Sequence, residues 1–251
     1  MNFDGKVVLI TGAGQGIGRE YAHAFAKNGA FVVITDLFEE NAESVLKEVK
    51  EKGGNGIAAK VDVSDEISAK AIVAKVAKEK GRLDVLINNA SIFSTIKMKP
   101  FYKISVDEWD KLMSVNCRGV WIMCKEVLEV MKKQNKGKIV NISSSSMFMG
   151  RAGYLHYVSS KSSIIGMTRS LAQELGEWNI TVNTVLPGAT ITEIERETVS
   201  PEQAQSMRNA RCIKRDQTPA DLVGAVLFFS SDLSDFISGQ SLCVDGGLNF
   251  Q

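Results

Sequence analysis

Thr11-Gly12-Ala13-Gly14-Gln15-Gly16-Ile17-Gly18-Arg19 is the stretch that decides the fold. It follows an apolar, β-branched run at residues 7–10 and leads into a segment of helical period at 18–28, so it predicts a tight strand-to-helix turn. Glycines let a backbone approach a pyrophosphate closely, and a helix N-terminus offers unpaired N–H groups and the positive end of its dipole. The loop therefore predicts a dinucleotide site near the start of the chain.

The same alternation of short strands and longer helices continues to the end of the chain, which is typical of βαβ units. It predicts a single-domain, doubly wound, Rossmann-like α/β fold with a parallel seven-stranded sheet and helices on both faces. The predicted strands are 7–10, 31–35, 56–61, 83–87, 137–142, 180–185 and 241–244; the predicted helices are 18–28, 39–52, 66–80, 106–133, 152–176 and 220–230.

Composition excludes several classes of function. With 251 residues, 44% apolar and 24% charged, the chain is expected to fold as one domain over 1–251. A net charge of +1 argues against binding to nucleic acid or an anionic membrane. The four cysteines form no CxxC pair and the two histidines no metal motif, so we expect reduced thiols and no metal site. No apolar run resembles a signal peptide or a membrane span, and a cytoplasmic protein is expected.

Asp36 is the predicted cofactor selector. It closes the second predicted strand, close to the roughly 20 residues after the glycine loop at which an acid binds the adenosine ribose of NAD. Its carboxylate would repel the 2′-phosphate of NADP. Leu37 and Gln15 stand where an Arg or Lys would otherwise meet that phosphate. The expected cofactor is NAD.

In the order of its motifs, the chain resembles the short-chain dehydrogenase/reductase family, and the resemblance extends from Gly5 to Gly247. A lone YxxxK would be weak support, but many ordered motifs agree. They are the glycine loop, Asp62-Val63, Asn88-Asn89-Ala90, Asn116, Ser143-Ser144, Tyr157-Val158-Ser159-Ser160-Lys161, Pro187-Gly188 with Thr192, Ser238-Gly239-Gln240 and Val244-Asp245-Gly246-Gly247. The resemblance implies an oxidoreductase that acts on a secondary alcohol or ketone.

Tyr157 and Lys161 are the predicted proton-transfer pair. Hydride transfer from an alcohol carbon requires the hydroxyl proton to leave as well. A phenol of pKa about 10 is a poor base at neutral pH unless a positive charge lies near it. The two residues are four apart on a predicted helix and share one face, where an ammonium at roughly 4 Å offers on the order of 4 kcal/mol.

Ser144 is the predicted donor to the substrate oxygen, thirteen residues before the tyrosine, as the family's catalytic serine is. Ser143, Ser145 and Ser146 are its rivals. By resemblance, Asn116 would hold a water that links the lysine to solvent. The resemblance also implies a set of cofactor contacts: Gly12, Gln15, Gly16, Ile17, Gly18, Asp36, Leu37, Asp62, Val63, Asn89, Ala90, Tyr157, Lys161, Pro187, Gly188, Thr190 and Thr192.

Substrate identity is beyond the sequence, but candidate pocket residues can be named. The substrate contacts proposed are Ser144, Met149, Tyr154 and Tyr157, and the weakly patterned segment 189–215 is a candidate cover for the site or a plain surface excursion. His156 either faces the cavity or is an ordinary helix histidine. Ser91 stands where most family members have a glycine, so the resemblance does not predict the backbone conformation at this position.

Two other functions remain as alternatives: a 3-ketoacyl-thioester reductase, which the NADP-repelling Asp36 disfavours, and a catalytically silent NAD-binding protein. The silent protein would be expected to lose Tyr157 or Lys161, and this chain retains both. A Ser/His hydrolase is disfavoured because there is no GxSxG motif. By resemblance, the chain is expected to form a homotetramer.

Overall fold

Short β-branched runs form the strands of the sheet. A computed structural model describes residues 1–194 and 201–250. The strands are β1 (Val7–Thr11), β2 (Phe31–Asp36), β3 (Asn55–Lys60), β4 (Val85–Asn88), β5 (Gly137–Ile142), β6 (Ile180–Pro187) and β7 (Ser241–Val244).

These strands form one seven-stranded sheet in the order β3-β2-β1-β4-β5-β6-β7, with every neighbouring pair parallel. The chain order reverses between β1 and β4, which is the switch point where ligands bind in open α/β sheets. The predicted fold class and sheet are confirmed.

The helices between the strands cover both faces of the sheet. They are α1 (Gly16–Lys27), α2 (Glu39–Glu51), α3 (Glu66–Lys80), α4 (Val106–Met113), α5 (Gly119–Gln134), α6 (Ser146–Met149), α7 (Leu155–Leu175), α8 (Pro201–Ala210) and α9 (Ala220–Ser230). Within the described part of the chain, none of them combines the length and apolar character needed to cross a bilayer.

Alternation along β1 shows how two cores arise from one sheet. Val7 and Leu9 point to one face, where they pack with residues of α3, α5 and α7. Val8 and Ile10 point to the other face, toward α1, α2 and α9. Because both faces are covered, the central strands are buried along their whole length.

The long predicted helix at 106–133 is interrupted. A π turn at Ser114–Arg118 joins α4 to α5, and within it the Gly119 N–H donates to the Ser114 carbonyl five residues back. The short helix α6 and the polar helix α8 were not predicted. The candidate cover at 189–215 is described except for residues 195–200, so that part of the prediction lies outside the described residues.

Candidate active site

The glycine loop lies at the carboxyl end of β1, beside the switch point. Asn89, just after β4, holds it there: its side-chain amide donates to the carbonyls of Thr11 and Gly12 at 3.0 and 2.8 Å. The Ala13 N–H donates to the Thr35 carbonyl at 2.9 Å. The loop is thus tied to the strands on both sides of β1.

The loop has the close-packed shape that a pyrophosphate cradle requires. Gly12 and Gly16 have φ of +60° and +58°, which favours glycine. A Cβ on Gly12 would lie 2.7 Å from the Ala90 Cα, and one on Gly18 would overlap the Gly12 carbonyl oxygen. Gln15 precedes α1 without a side-chain cap, and no acidic residue occupies the first turn. These residues fit a dinucleotide whose diphosphate meets the N-terminus of α1.

Asp36 ends β2 and reaches the same loop. Its carboxylate is buried and accepts hydrogen bonds from the Gly14 N–H at 3.0 Å and the Phe38 N–H at 3.2 Å. Leu37 is 48% exposed beside it. The described residues therefore place a carboxylate, followed by an uncharged side chain, next to the glycine loop.

The predicted adenine-side residues lie at the neighbouring strand ends. Asp62 accepts from the N–H and hydroxyl of Ser64 in a local turn after β3. Val63 is buried against Gly119, at the start of α5. The backbone of Ala90 lies close to Gly12, and the Ala90 N–H donates to the Thr11 hydroxyl at 3.1 Å.

Tyr157 and Lys161 are both buried in the first turns of α7. The Lys161 Nζ lies 6.0 Å from the centroid of the Tyr157 ring and donates to the Ile142 carbonyl at the end of β5, at 2.9 Å. Burial lowers the pKa of the Lys161 ammonium to about 7. Phe93 packs on the Tyr157 ring at a centroid distance of 4.7 Å, which fixes the ring.

The four serines after β5 have different surroundings. Ser143 is buried and donates to the Lys161 carbonyl at 2.7 Å, so its hydroxyl positions α7. Ser145 and Ser146 are also buried, whereas Ser144 is only partly buried. The Ser144 hydroxyl accepts from the Ser146 N–H at 3.2 Å, which leaves its own proton to donate elsewhere.

Asn116 lies within the π turn and connects three elements. Its side chain accepts from the Ile92 N–H at 2.7 Å and donates to the Ile92 carbonyl at 3.1 Å and the Ser160 hydroxyl at 3.3 Å. It is fully buried. π turns often occur at functional sites, and here the turn ties the loop after β4 to α7 beside the tyrosine.

The residues after β6 adjoin the glycine loop. The Gly188 N–H donates to the Val244 carbonyl at 3.0 Å, so Pro187 and Gly188 are held against β7. Thr190 is buried and its hydroxyl donates to the Gly188 carbonyl, so in this structure it shapes the turn. Thr192 is partly exposed, with its methyl group near Gly16.

The predicted substrate residues divide into two groups. Met149 is 40% exposed at the end of α6, whereas Tyr154 is 1% exposed and its ring lies beside those of Phe93 and Tyr157. Tyr154 thus supports the Tyr157 ring through an edge contact. His156 is buried, its Nδ1 has no hydrogen-bond partner within the described residues, and burial lowers its pKa. Ser91, which stands where most family members have a glycine, is exposed and does not adopt a left-handed backbone conformation. The backbone at this position therefore does not require a glycine.

Several residues that build the site have no role that their motif or spacing predicts. The Thr11 hydroxyl accepts from the N–H groups of Asn89 and Ala90 and donates to the Ile87 carbonyl. Buried Asn88 donates to Asn141 across β4 and β5 at 2.9 Å. A polar residue at the end of a predicted buried strand was the available signal for each.

The sheet, the glycine loop and the buried Tyr-Lys pair define a class of protein, the oxidoreductases that bind a nicotinamide dinucleotide at the switch point of a Rossmann-like sheet. The comparisons with known proteins agree. A family profile described as enoyl-(acyl carrier protein) reductase matches residues 12–249. The chain belongs to the short-chain dehydrogenase/reductase family.

Relatives in this family differ in their substrates. The chain is 37% identical to 3-oxoacyl-(acyl-carrier-protein) reductase FabG of Thermotoga maritima, with 99% of each chain covered. It is 35% identical to the cyclopentanol dehydrogenase of Comamonas, with 96% of each covered. It is similar in structure to 7α-hydroxysteroid dehydrogenase in complex with NADH and 7-oxoglycochenodeoxycholic acid, with a TM-score of 0.93, 33% identity and coverage of 98% of this chain and 95% of that one.

Proposed function

We propose that this protein transfers a hydride between NAD(H) and a secondary alcohol or ketone, with residues 1–251 acting as one cofactor-binding and catalytic domain in the cytoplasm. The observation that carries the proposal is the buried pair of Tyr157 and Lys161 on one side of α7, at the sheet edge that also holds the glycine loop. When bound, the nicotinamide supplies or accepts the hydride.

Tyr157 moves the proton. In the oxidation direction its phenolate accepts the proton of the substrate hydroxyl, and in the reduction direction its phenol returns a proton to the carbonyl oxygen. Ser144 donates a hydrogen bond to that same oxygen and orients it toward the tyrosine. The partly buried Ser144 supports this role better than its buried neighbours do.

Lys161 makes the phenolate accessible near neutral pH. Because burial lowers the pKa of its ammonium to about 7, the lysine gains charge when an anion forms beside it. In this proposal Lys161 also contacts the nicotinamide ribose, and Asn116 in the π turn places the water that connects the lysine to solvent.

The NAD preference rests on Asp36. Its buried carboxylate accepts the Gly14 N–H, and a 2′-phosphate brought to this position would meet a like charge. Asp36→Ala combined with Leu37→Arg removes that repulsion and adds a guanidinium for the phosphate. Fluorescence titration should show at least a tenfold shift of the NADPH to NADH affinity ratio toward NADPH. An unchanged ratio would place the ribose elsewhere.

The substrate is proposed to be an apolar secondary alcohol. Phe93 packs on the Tyr157 ring, Met149 is exposed at the end of α6, and the similar cyclopentanol and hydroxysteroid dehydrogenases are named for cyclic alcohols. A panel of secondary alcohols with NAD tests this directly. The panel should give turnover with at least one cyclic alcohol.

A 3-ketoacyl-thioester reductase is the second candidate, and the similarity to FabG favours it. A β-ketoacyl thioester assayed with NADPH and with NADH separates the two. Preferred turnover of the thioester with NADPH would establish this candidate in place of the alcohol dehydrogenase. NADH binding without turnover on either panel would instead indicate a silent NAD-binding protein.

A further inference from the structure

Glu193 reaches the N-terminus of α1 from the opposite end of the chain. The Gly16 N–H donates to its Oε1 at 2.8 Å, although 177 residues separate the two. The Arg19 guanidinium lies 4.0 Å from the same oxygen. Ile194 packs on the same glycine: a Cβ added to Gly16 would lie only 3.0 Å from the Ile194 Cδ1. The segment after β6 is thus seated on the glycine loop.

The position of this carboxylate is the one that the fold reserves for an anion. α1 has no side-chain cap and no acidic residue in its first turn, whereas α3 and α4 are capped by Asp65 and Ser105. Glu193 supplies the negative charge that the local sequence of α1 lacks. A phosphate oxygen in the cradle needs the same N–H group, and the carboxylate and the phosphate would also repel each other.

We propose that Glu193 is an internal competitor of the cofactor diphosphate, so that nucleotide binding displaces its carboxylate from Gly16 and moves residues 192–194. The inference rests on the nucleotide site of the proposed function. The start of the segment is anchored, since the Ile191 N–H donates to the Gln217 carbonyl at 2.8 Å and Thr190 bridges to the same residue. The movement therefore begins after Ile191 and carries Thr192 with it.

Competition of this kind has a definite kinetic signature. The apparent affinity for the nucleotide equals the intrinsic affinity multiplied by the fraction of molecules whose Gly16 N–H is free. Removing the competitor therefore raises the association rate constant and leaves the dissociation rate constant unchanged. A carboxylate that acted only through the general field of the protein would affect every anionic ligand without regard to position. Glu20 offers a control, because it lies on α1, the helix that Glu193 contacts, and Glu20→Gln removes an equal charge.

The experiment measures ADP and adenosine binding to the full-length protein by calorimetry. ADP carries the diphosphate shared by NAD and NADP, so the test does not depend on which cofactor is preferred. Glu193→Gln and Glu193→Ala should each tighten ADP binding at least threefold and leave adenosine binding unchanged, and Glu20→Gln should change neither. Stopped-flow fluorescence with NADH should show the gain in the association rate constant.

The possible failures can be told apart. The proposal that Glu193 competes with the diphosphate is refuted if ADP binding is unchanged or weaker in both Glu193 variants. It is also refuted if Glu20→Gln tightens ADP binding equally, or if adenosine binding tightens as much as ADP binding. In each of those cases the nucleotide site stands. If the wild-type protein binds neither ADP nor NADH, the nucleotide site of the proposed function is wrong and the competitor falls with it.

Discussion

Tyr157 carries one hydroxyl on which the proposed chemistry depends. Tyr157→Phe keeps the ring that packs on Phe93, so the fold and NADH binding should survive. Turnover should fall by about 10² to 10⁴-fold, because general acid–base catalysis contributes on that order. Steady-state kinetics and an NADH titration measure the two quantities separately.

The matched control for this variant is Tyr21→Phe. Tyr21 is a buried tyrosine of α1 whose hydroxyl has no hydrogen-bond partner within the described residues, so its loss should leave turnover unchanged. Near-normal turnover in a folded Tyr157→Phe protein would refute the assignment, and His156 would become the next candidate base.

Lys161 imposes a pH-dependent cost on folding. The pKa of its ammonium is about 7 in the folded chain and about 10.4 when unfolded, so the native state loses stability as the pH falls from about 10 to about 7. Each pH unit between these two pKa values is worth roughly 1.4 kcal/mol, so the cost to the free energy of folding below pH 7 reaches at most about 5 kcal/mol. Replacing the side chain also removes its hydrogen bond to the Ile142 carbonyl, so the stability gained by a substitution is smaller than this cost.

Lys161→Met should therefore stabilise the protein by roughly 2 kcal/mol at pH 6 and by much less near pH 10. Urea unfolding at the two pH values measures the difference in the free energy of unfolding. Lys78→Met, at an exposed position of α3, serves as the control and should show no such pH dependence. A Lys161→Met protein that is less stable than wild type at pH 6 would contradict the burial argument.

Sequence predicts individual site residues where their spacing is local. Tyr157 and Lys161 share a helix, and Asp36 ends a strand that follows the glycine loop, so pattern alone brings these residues into consideration. Glu193 could not be found this way, because its contact with Gly16 depends on how β6 and β1 end at the same edge of the sheet. The support of the Tyr157 ring by Tyr154 was missed for a similar reason: rotamers and packing decide which way a ring faces.

At the scale of elements, the glycine loop and α1 act as one unit. Gly18→Ala places a Cβ against the Gly12 carbonyl and 2.6 Å from the Asn89 amide nitrogen, which holds the loop. The loop has to shift, and NADH affinity should fall at least tenfold. Gly224→Ala on α9, where a Cβ meets open space, should bind NADH normally and gain up to about 1 kcal/mol in stability. Equal NADH affinities in the two variants would show that the glycine loop does not contact the bound NADH.

Most elements could be predicted because their apolar period is strong, and the failures have physical causes. The strands β2, β4 and β6 extend to Asp36, Asn88 and Pro187, where a polar residue or a proline ends the apolar run before the hydrogen bonding ends. Helix α8 was missed because its composition is polar and offers no clear apolar stripe. The π turn depends on a backbone hydrogen-bond shift that side-chain pattern does not report.

For the whole molecule, the assembly remains a prediction. Ile122, Val127 and Ile164 of the long helices are buried in this chain, but Trp121 on α5 and Leu242 on β7 stay 49% and 40% exposed. Apolar groups of this kind on two separate faces suit the two kinds of contact in a tetramer. Light scattering at micromolar concentration should give four times 27.4 kDa, about 110 kDa. Trp121→Glu should reduce that mass, and a wild-type mass of one subunit would refute the tetramer.

The π turn between α4 and α5 also has a meaning for how such a chain tolerates changes of length. Each residue of an α-helix turns it by about 100°, so a deletion elsewhere in this helix would rotate one half against the other and expose its buried face. The π turn already contains a surplus residue. Losing one residue there would restore a regular helix and keep α5 in phase with the sheet, and only the three-way connection made by Asn116 would be lost. Related chains that lack this residue should therefore keep the fold and lose the proposed site.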